Sequence, residues 1–123
     1  MPSKKQKAVL IIEDEPIFRL NYRVVFEKHG WKVMEAHAGS QGIDMMQSEK
    51  PDIVLLDLIL PEMNGYDVLK KIRVLNPKLP VIVFSVMSAE TDMNRAFKLG
   101  ANDYVIKGME SPTAILQKID KLI

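Results

Sequence analysis

Residues 53–57 read Ile53-Val54-Leu55-Leu56-Asp57, four consecutive apolar side chains followed by one carboxylate. An unbroken apolar run of this length predicts a strand covered on both faces, as in a parallel sheet sandwiched between helices. Ala8-Val9-Leu10-Ile11-Ile12 and Val81-Ile82-Val83-Phe84 have the same character. Residues 31–35 and 103–106 are more polar and read as the two edge strands.

Helical periodicity fills the intervals. A first helix is expected from Pro16, which suits a first turn, to His29, with Gly30 as its stop and Ile17, Leu20, Val24 and Val25 as its buried stripe. A weaker second one spans residues 40–48, where Gly42 costs roughly 1 kcal/mol relative to Ala. The third follows Asn64 as cap and buries Val68, Leu69, Ile72 and Leu75. The fourth runs from Ala89, after Ser88, to Leu99, and Gly100 closes it. The fifth opens with Ser111 and Pro112 and buries Ile115, Leu116, Ile119 and Leu122.

Five strand-then-helix units with right-handed crossovers predict an α/β fold: an open, doubly wound, five-stranded parallel sheet in the order 2-1-3-4-5, with five helices on both faces. The 123 residues divide into a basic N-terminal tail, 1–7, containing Lys4, Lys5 and Lys7, and one domain over 8–123. The formal charge of +1 lacks the cationic surplus that phosphate-backbone binding requires, so no direct nucleic-acid ligand is expected. With no cysteine, thiolate chemistry and Cys-built zinc sites are excluded. The early apolar run stops after five residues at Glu13, short of the roughly seven a signal core needs, and no later run nears the ~18 of a bilayer span. No membrane partner and a cytoplasmic location are expected.

In such sheets ligands bind beyond the carboxyl ends of the strands. Glu13 and Asp14, Asp57, Ser85 and Lys107 all fall there. Three carboxylates gathered at one edge would repel by about 4 kcal/mol per close pair at an effective dielectric of 20. A hard divalent cation, Mg²⁺ by preference, relieves that repulsion and leaves positions for phosphate oxygens. Adding an ammonium and a hydroxyl completes a set suited to phosphoryl transfer, with Asp57 on the central strand as the nucleophile that would hold an acyl phosphate.

Four segments carry a family resemblance: residues 10–15 (Leu10-Ile11-Ile12-Glu13-Asp14-Glu15), residues 57–65 (Asp57-Leu58-Ile59-Leu60-Pro61-Glu62-Met63-Asn64-Gly65), the strand end at Ser85, and residues 100–107 (Gly100-Ala101-Asn102-Asp103-Tyr104-Val105-Ile106-Lys107). Together they resemble the receiver domain of two-component response regulators, of the chemotaxis type, over essentially the whole chain. The resemblance implies that Asp57 accepts a phosphoryl group from a histidine kinase or histidine phosphotransfer protein. It further implies that Asp14 and Asp57 ligate Mg²⁺ (or Mn²⁺) directly, Glu13 acts mainly through water, and the backbone carbonyl of Ile59 completes the protein ligands. Ser85 and Lys107 match the family's hydroxyl and lysine, and Tyr104 its aromatic switch position. A downstream protein or output domain, and a phosphorylation-linked homodimer, are the further partners implied. No separate substrate is turned over in this reading; the chemistry is confined to phosphorylation and autodephosphorylation of Asp57.

One charge-assisted bond from Ser85 to a phosphoryl oxygen contributes ~1.5–3 kcal/mol. Carrying a two-state equilibrium from 1:99 to 99:1 takes about 5.5 kcal/mol, so a partner or self-association is expected to complete the switch. Two positions depart from the family pattern. Gly108 stands where proline usually follows the lysine, and Val86 follows Ser85 where a smaller residue is common. The alternative reading is a degenerate pseudo-receiver, an unphosphorylated interaction module. A flavin-binding protein of the same fold would need a phosphate-cradling loop after the first strand, which Glu13-Asp14-Glu15 is not. An aspartate-nucleophile phosphatase would usually carry a second acid where Ile59 stands.

Overall fold

The computed structural model describes residues 6–123. Strands β1 (Ala8–Ile12), β2 (Lys32–Ala36), β3 (Ile53–Asp57), β4 (Val81–Ser85) and β5 (Asp103–Ile106) alternate with helices α1 (Pro16–Lys28), α2 (Gly39–Glu49), α3 (Gly65–Leu75), α4 (Glu90–Lys98) and α5 (Pro112–Leu122). All strand pairs are parallel, in the order β2-β1-β3-β4-β5, as the sequence predicts. Lys4 and Lys5 of the basic tail lie outside the described residues; the Lys7 ammonium sits 5.8 Å from the centroid of the Trp31 ring.

Successive strand residues face opposite sides of the sheet and split the core in two. Leu10, Ile12, Val54, Leu56, Val81 and Val83 pack beneath α2, α3 and α4. Val9, Ile11, Ile53, Leu55, Ile82 and Phe84 pack beneath α1 and α5. Asn64 and Ser111 cap their helices as expected, accepting from the N–H groups of Asp67 and Ala114. Ser88 does not cap α4: the N-cap residue is Ala89, with no side-chain bond.

The buried face of α1 differs from the expected stripe. Ile17, Leu20 and Val24 are 60%, 53% and 57% exposed, while Tyr22 and Phe26 are buried and Phe18 and Val25 pack beside them. Two apolar stripes compete on this helix, and the one richer in aromatic rings removes more area from water. Tyr22 meets Phe84 edge-on at 5.2 Å between centroids, and Phe26 meets Trp31 at 5.5 Å. Leu75 and Leu122, in the last turns of α3 and α5, also stay substantially exposed, and Ile72 and Ile119 one turn earlier complete those stripes. Gly42 has a packing reason: a Cβ there would approach Ile12 Cδ1 to 2.5 Å, so α2 lies close against β1 only because the side chain is missing.

Candidate phosphoacceptor site

β1 and β3 end side by side, with Ile12 paired to Leu56, so the next residue of each chain segment reaches the same edge. Glu13 is fully buried, Asp57 is 2% exposed, and Asp14 is exposed at the rim. One carboxylate oxygen from each of the three lies within 4.8 Å of the others. The Glu13 backbone is pinned from two sides: its N–H donates to the Ala36 carbonyl at 2.9 Å, and its carbonyl accepts from Arg19 Nη1 at 2.7 Å. Asp14 is not the cap of α1, since Glu15 occupies that position and no side chain caps it.

Lys107, one residue past β5, reaches across β4 to this cluster. Its Nζ lies 2.7 Å from Glu13 Oε2 and donates to Asp57 Oδ2 at 3.0 Å. Two aromatic faces complete its surroundings, Phe18 at 4.4 Å and Phe84 at 5.2 Å from the ring centroids. Gly108, in the left-handed region at φ 83°, turns the chain away after the lysine through a trans peptide. Burial alone would lower the Lys107 ammonium, but the contacts with Glu13 and Asp57 outweigh it and hold the group above its ordinary value.

Burial pushes the Glu13 carboxyl up to about 8; Lys107 opposes that rise and Asp57 adds to it. Glu13 Oε1 accepts from the Glu15 N–H at 3.1 Å, whereas Oε2, although close to the ammonium, has no hydrogen-bond partner of good geometry. Together, a buried oxygen whose one neighbouring cation is Lys107, a carboxyl held back from ionising and two further acids in reach fit a divalent cation bound through oxygen.

Ser85 is fully buried at the end of β4 and joins a second group. Its Oγ accepts from the Met87 N–H at 3.2 Å, and its carbonyl accepts from the Lys107 N–H at 2.8 Å. The Tyr104 hydroxyl donates to the Met87 carbonyl at 2.7 Å; burial raises this phenol, while its contact with Ser85 pulls the other way. Thus Glu13, Asp14, Asp57 and Lys107 meet at one point, and Ser85 and Tyr104 meet beside it around Met87. Ile59 donates its N–H to Asp57 Oδ1 at 3.1 Å, a contact the sequence reading, which placed only its carbonyl at the site, did not contain. Phe18, Arg19 and Phe84 were likewise missed. Only Phe84 carried a signal, as the residue immediately before Ser85.

The response regulator receiver domain family model matches residues 9–120. Chemotaxis protein CheY of Thermotoga maritima is 33% identical over 117 residues, covering 94% of this chain and 97% of that protein. Nitrate/nitrite response regulator protein NarL of Escherichia coli is 37% identical over 112 residues, 89% of this chain but 52% of NarL. The chain therefore spans about half the length of some of its curated relatives and nearly all of others. Among solved structures, a CheY-like response regulator receiver domain protein from Methanospirillum hungatei superposes with a TM-score of 0.89 at 26% identity, covering 96% of this chain and 94% of that one.

Proposed function

Because the chain belongs to the response regulator receiver domains, a family of phosphoacceptor signalling modules, we propose that Asp57 is its phosphoacceptor and that Glu13, Asp14, Ser85 and Lys107 serve the transfer. The observation that carries this reading is the Lys107 ammonium seated between Glu13 and Asp57 at 2.7 and 3.0 Å, with Asp14 in reach of both acids.

An Asp57 carboxylate oxygen attacks the phosphorus of a phosphohistidine; the new O–P bond forms as the N–P bond breaks, and the imidazole leaves with the electron pair. Lys107 stays beside the acceptor and offsets charge on the transferring oxygens. Asp14 and Asp57 would hold Mg²⁺ (or Mn²⁺) directly, Glu13 through water and Ile59 through its carbonyl. That ion supplies charge neutralisation at the phosphoryl oxygens. Ser85 and Tyr104 both hold Met87, so recruiting the Ser85 hydroxyl to a phosphoryl oxygen would loosen that segment and alter the face made by α4, β5 and α5.

The donor is a histidine kinase or histidine phosphotransfer protein. Its docking surface on this chain is the stripe Ile17, Leu20 and Val24, apolar, exposed and on the helix that follows the acidic turn. A downstream protein or output domain, or a second copy of the chain, reads the altered face. The domain turns over no separate substrate. We place it in the cytoplasm; among the described residues no helix is long and apolar enough to cross a membrane.

Intact mass after incubation with Mg²⁺ and a small phosphodonor tests this assignment. One phosphoryl adduct is expected on the parent chain and none on Asp57→Asn. An unmodified parent would return the chain to the unphosphorylated interaction module.

A further inference from the structure

Helix α4 is embedded least. Of its nine residues only Ala96 is buried, against five in α3 and four in α2. Between α4 and the loop after β3 runs an open groove of about 340 Å³, lined in part by Leu58 and Leu60. Tyr66 and Arg95 both line it. Tyr66, in the first turn of α3 and 6% exposed, donates its hydroxyl to the Asp92 carbonyl at 3.1 Å. The Arg95 guanidinium lies over its ring, Cζ 4.0 Å from the centroid. Both partners belong to α4.

Tyr66 is also coupled rigidly to the acceptor loop. A Cβ on Gly65 would collide with the Asp57 carbonyl and Leu58 Cα, so this backbone lies directly on the residue bearing the acceptor carboxylate. The Gly65 N–H donates to the Leu58 carbonyl at 2.8 Å. From Asp57 through Leu58, Gly65 and Tyr66 to Asp92, each step is a covalent bond, a close backbone contact or a hydrogen bond. Tyr104 approaches the same region from β5 and holds Met87.

We propose that Tyr66 is a positioning residue that ties α4 to the acceptor loop, a second phenolic tether independent of Tyr104, so that displacement of the loop after β3 reaches α4 through the first turn of α3. This rests on the phosphoacceptor reading only for what displaces the loop; the tether itself belongs to the resting protein. Tyr66→Phe removes the hydroxyl and keeps the ring beneath Arg95, and Arg95→Gln removes the cation and keeps the hydroxyl bond.

The test is amide hydrogen exchange over residues 90–98, with and without beryllofluoride and Mg²⁺, in the parent, Tyr66→Phe, Tyr104→Phe, the double variant and Arg95→Gln. In the resting state Tyr66→Phe should exchange about fivefold faster across α4, the scale of one lost hydrogen bond, with α2 and α5 unchanged. Arg95→Gln should act in the same direction by a smaller factor, and the Tyr66 and Tyr104 effects should multiply in the double variant. The beryllofluoride-induced change in α4 should shrink by at least half in Tyr66→Phe while Mg²⁺ affinity, measured by calorimetry, stays at the parent value. Resting α4 exchange within twofold of the parent in both Tyr66→Phe and Arg95→Gln would overturn the proposal. So would a full beryllofluoride response in Tyr66→Phe. If the parent itself gives no response to beryllofluoride, the phosphoacceptor reading fails, and the resting-state exchange rates alone decide the tether.

Discussion

From Val9 to Ile12, Ile53 to Leu56 and Val81 to Phe84 every residue of the three central strands is buried and apolar; the next position of each, Glu13, Asp57 and Ser85, is just as buried and polar. The two regions share strands and exclusion of water but stand on opposite sides of the stability balance. Burial of Leu or Ile gains about 1.5–3 kcal/mol relative to exposure. Burial of Glu13 leaves one oxygen with no hydrogen bond of good geometry, only the Lys107 ammonium beside it, and pushes the carboxyl up to about 8. The interior stabilises the fold, and the edge uses part of that stability to hold charges where a cation and a phosphoryl group can meet them.

Damage to the interior should lower stability without touching the chemistry. Leu55 is 1% exposed on the α1 and α5 side of β3, two residues before Asp57. Leu55→Ala should cost about 3–5 kcal/mol in urea unfolding, through lost transfer energy and the cavity left behind. Below the unfolding transition its Mg²⁺ affinity should stay within twofold of the parent. A tenfold loss of affinity would show that the interior and the edge are not separable.

Relief of the edge should do the opposite. With a folded-state value near 8 against an ordinary 4.5, Glu13 takes up a proton on folding between those values. Its stabilising contribution is therefore complete below about pH 4.5 and is lost as pH rises through about 8, by at most about 1.4 kcal/mol per pH unit. Glu13→Gln removes this slope and leaves Lys107 paired with Asp57. In metal-free buffer the variant should match the parent at pH 4.5 and exceed it by about 3 kcal/mol at pH 7, with the gap still widening towards pH 8. Mg²⁺ should stabilise the parent more than the variant. A variant less stable than the parent at pH 8 without metal would reverse the sign assigned to this carboxyl.

What was legible in the chain divides along the same line. Strand interiors need only apolar character, so the runs at Ile53, Ala8 and Val81 mark the central strands, the more polar residues 31–35 and 103–106 the edges, and the alternation with helices the order. The residues that end the central runs supply the acids and the hydroxyl, and the end of the edge strand β5 supplies the lysine. The buried face of α1 is not legible locally, because Ile17, Leu20 and Val24 (+3, +4) and Phe18, Tyr22 and Phe26 (+4, +4) both keep helical spacing, and only the partners Phe84 and Trp31 decide between the stripes. Gly42 costs helix propensity, and its packing reason, the Ile12 side chain beneath it, lies on another element. Arg19 on the Glu13 carbonyl, Phe18 over Lys107 and Tyr66 on Asp92 depend on contacts between separate elements, which local pattern does not encode.

The smallest effect separates the two regions at their boundary. Ile59 and Val86 are 51% and 59% exposed, yet each adjoins a buried polar residue: the Ile59 N–H bonds Asp57 Oδ1, and Val86 follows Ser85. Loss of the phosphoryl group requires water to attack phosphorus in line, and branched side chains at the rim narrow that approach without contributing to the core. Val86→Ala should therefore speed autodephosphorylation by about two- to fivefold, well under 1.4 kcal/mol of barrier, while changing unfolding stability by less than about 0.5 kcal/mol. The decay of the phosphorylated mass over time gives the first number and urea unfolding the second. Equal or slower decay in the variant would mean that water reaches the acyl phosphate by a route Val86 does not flank.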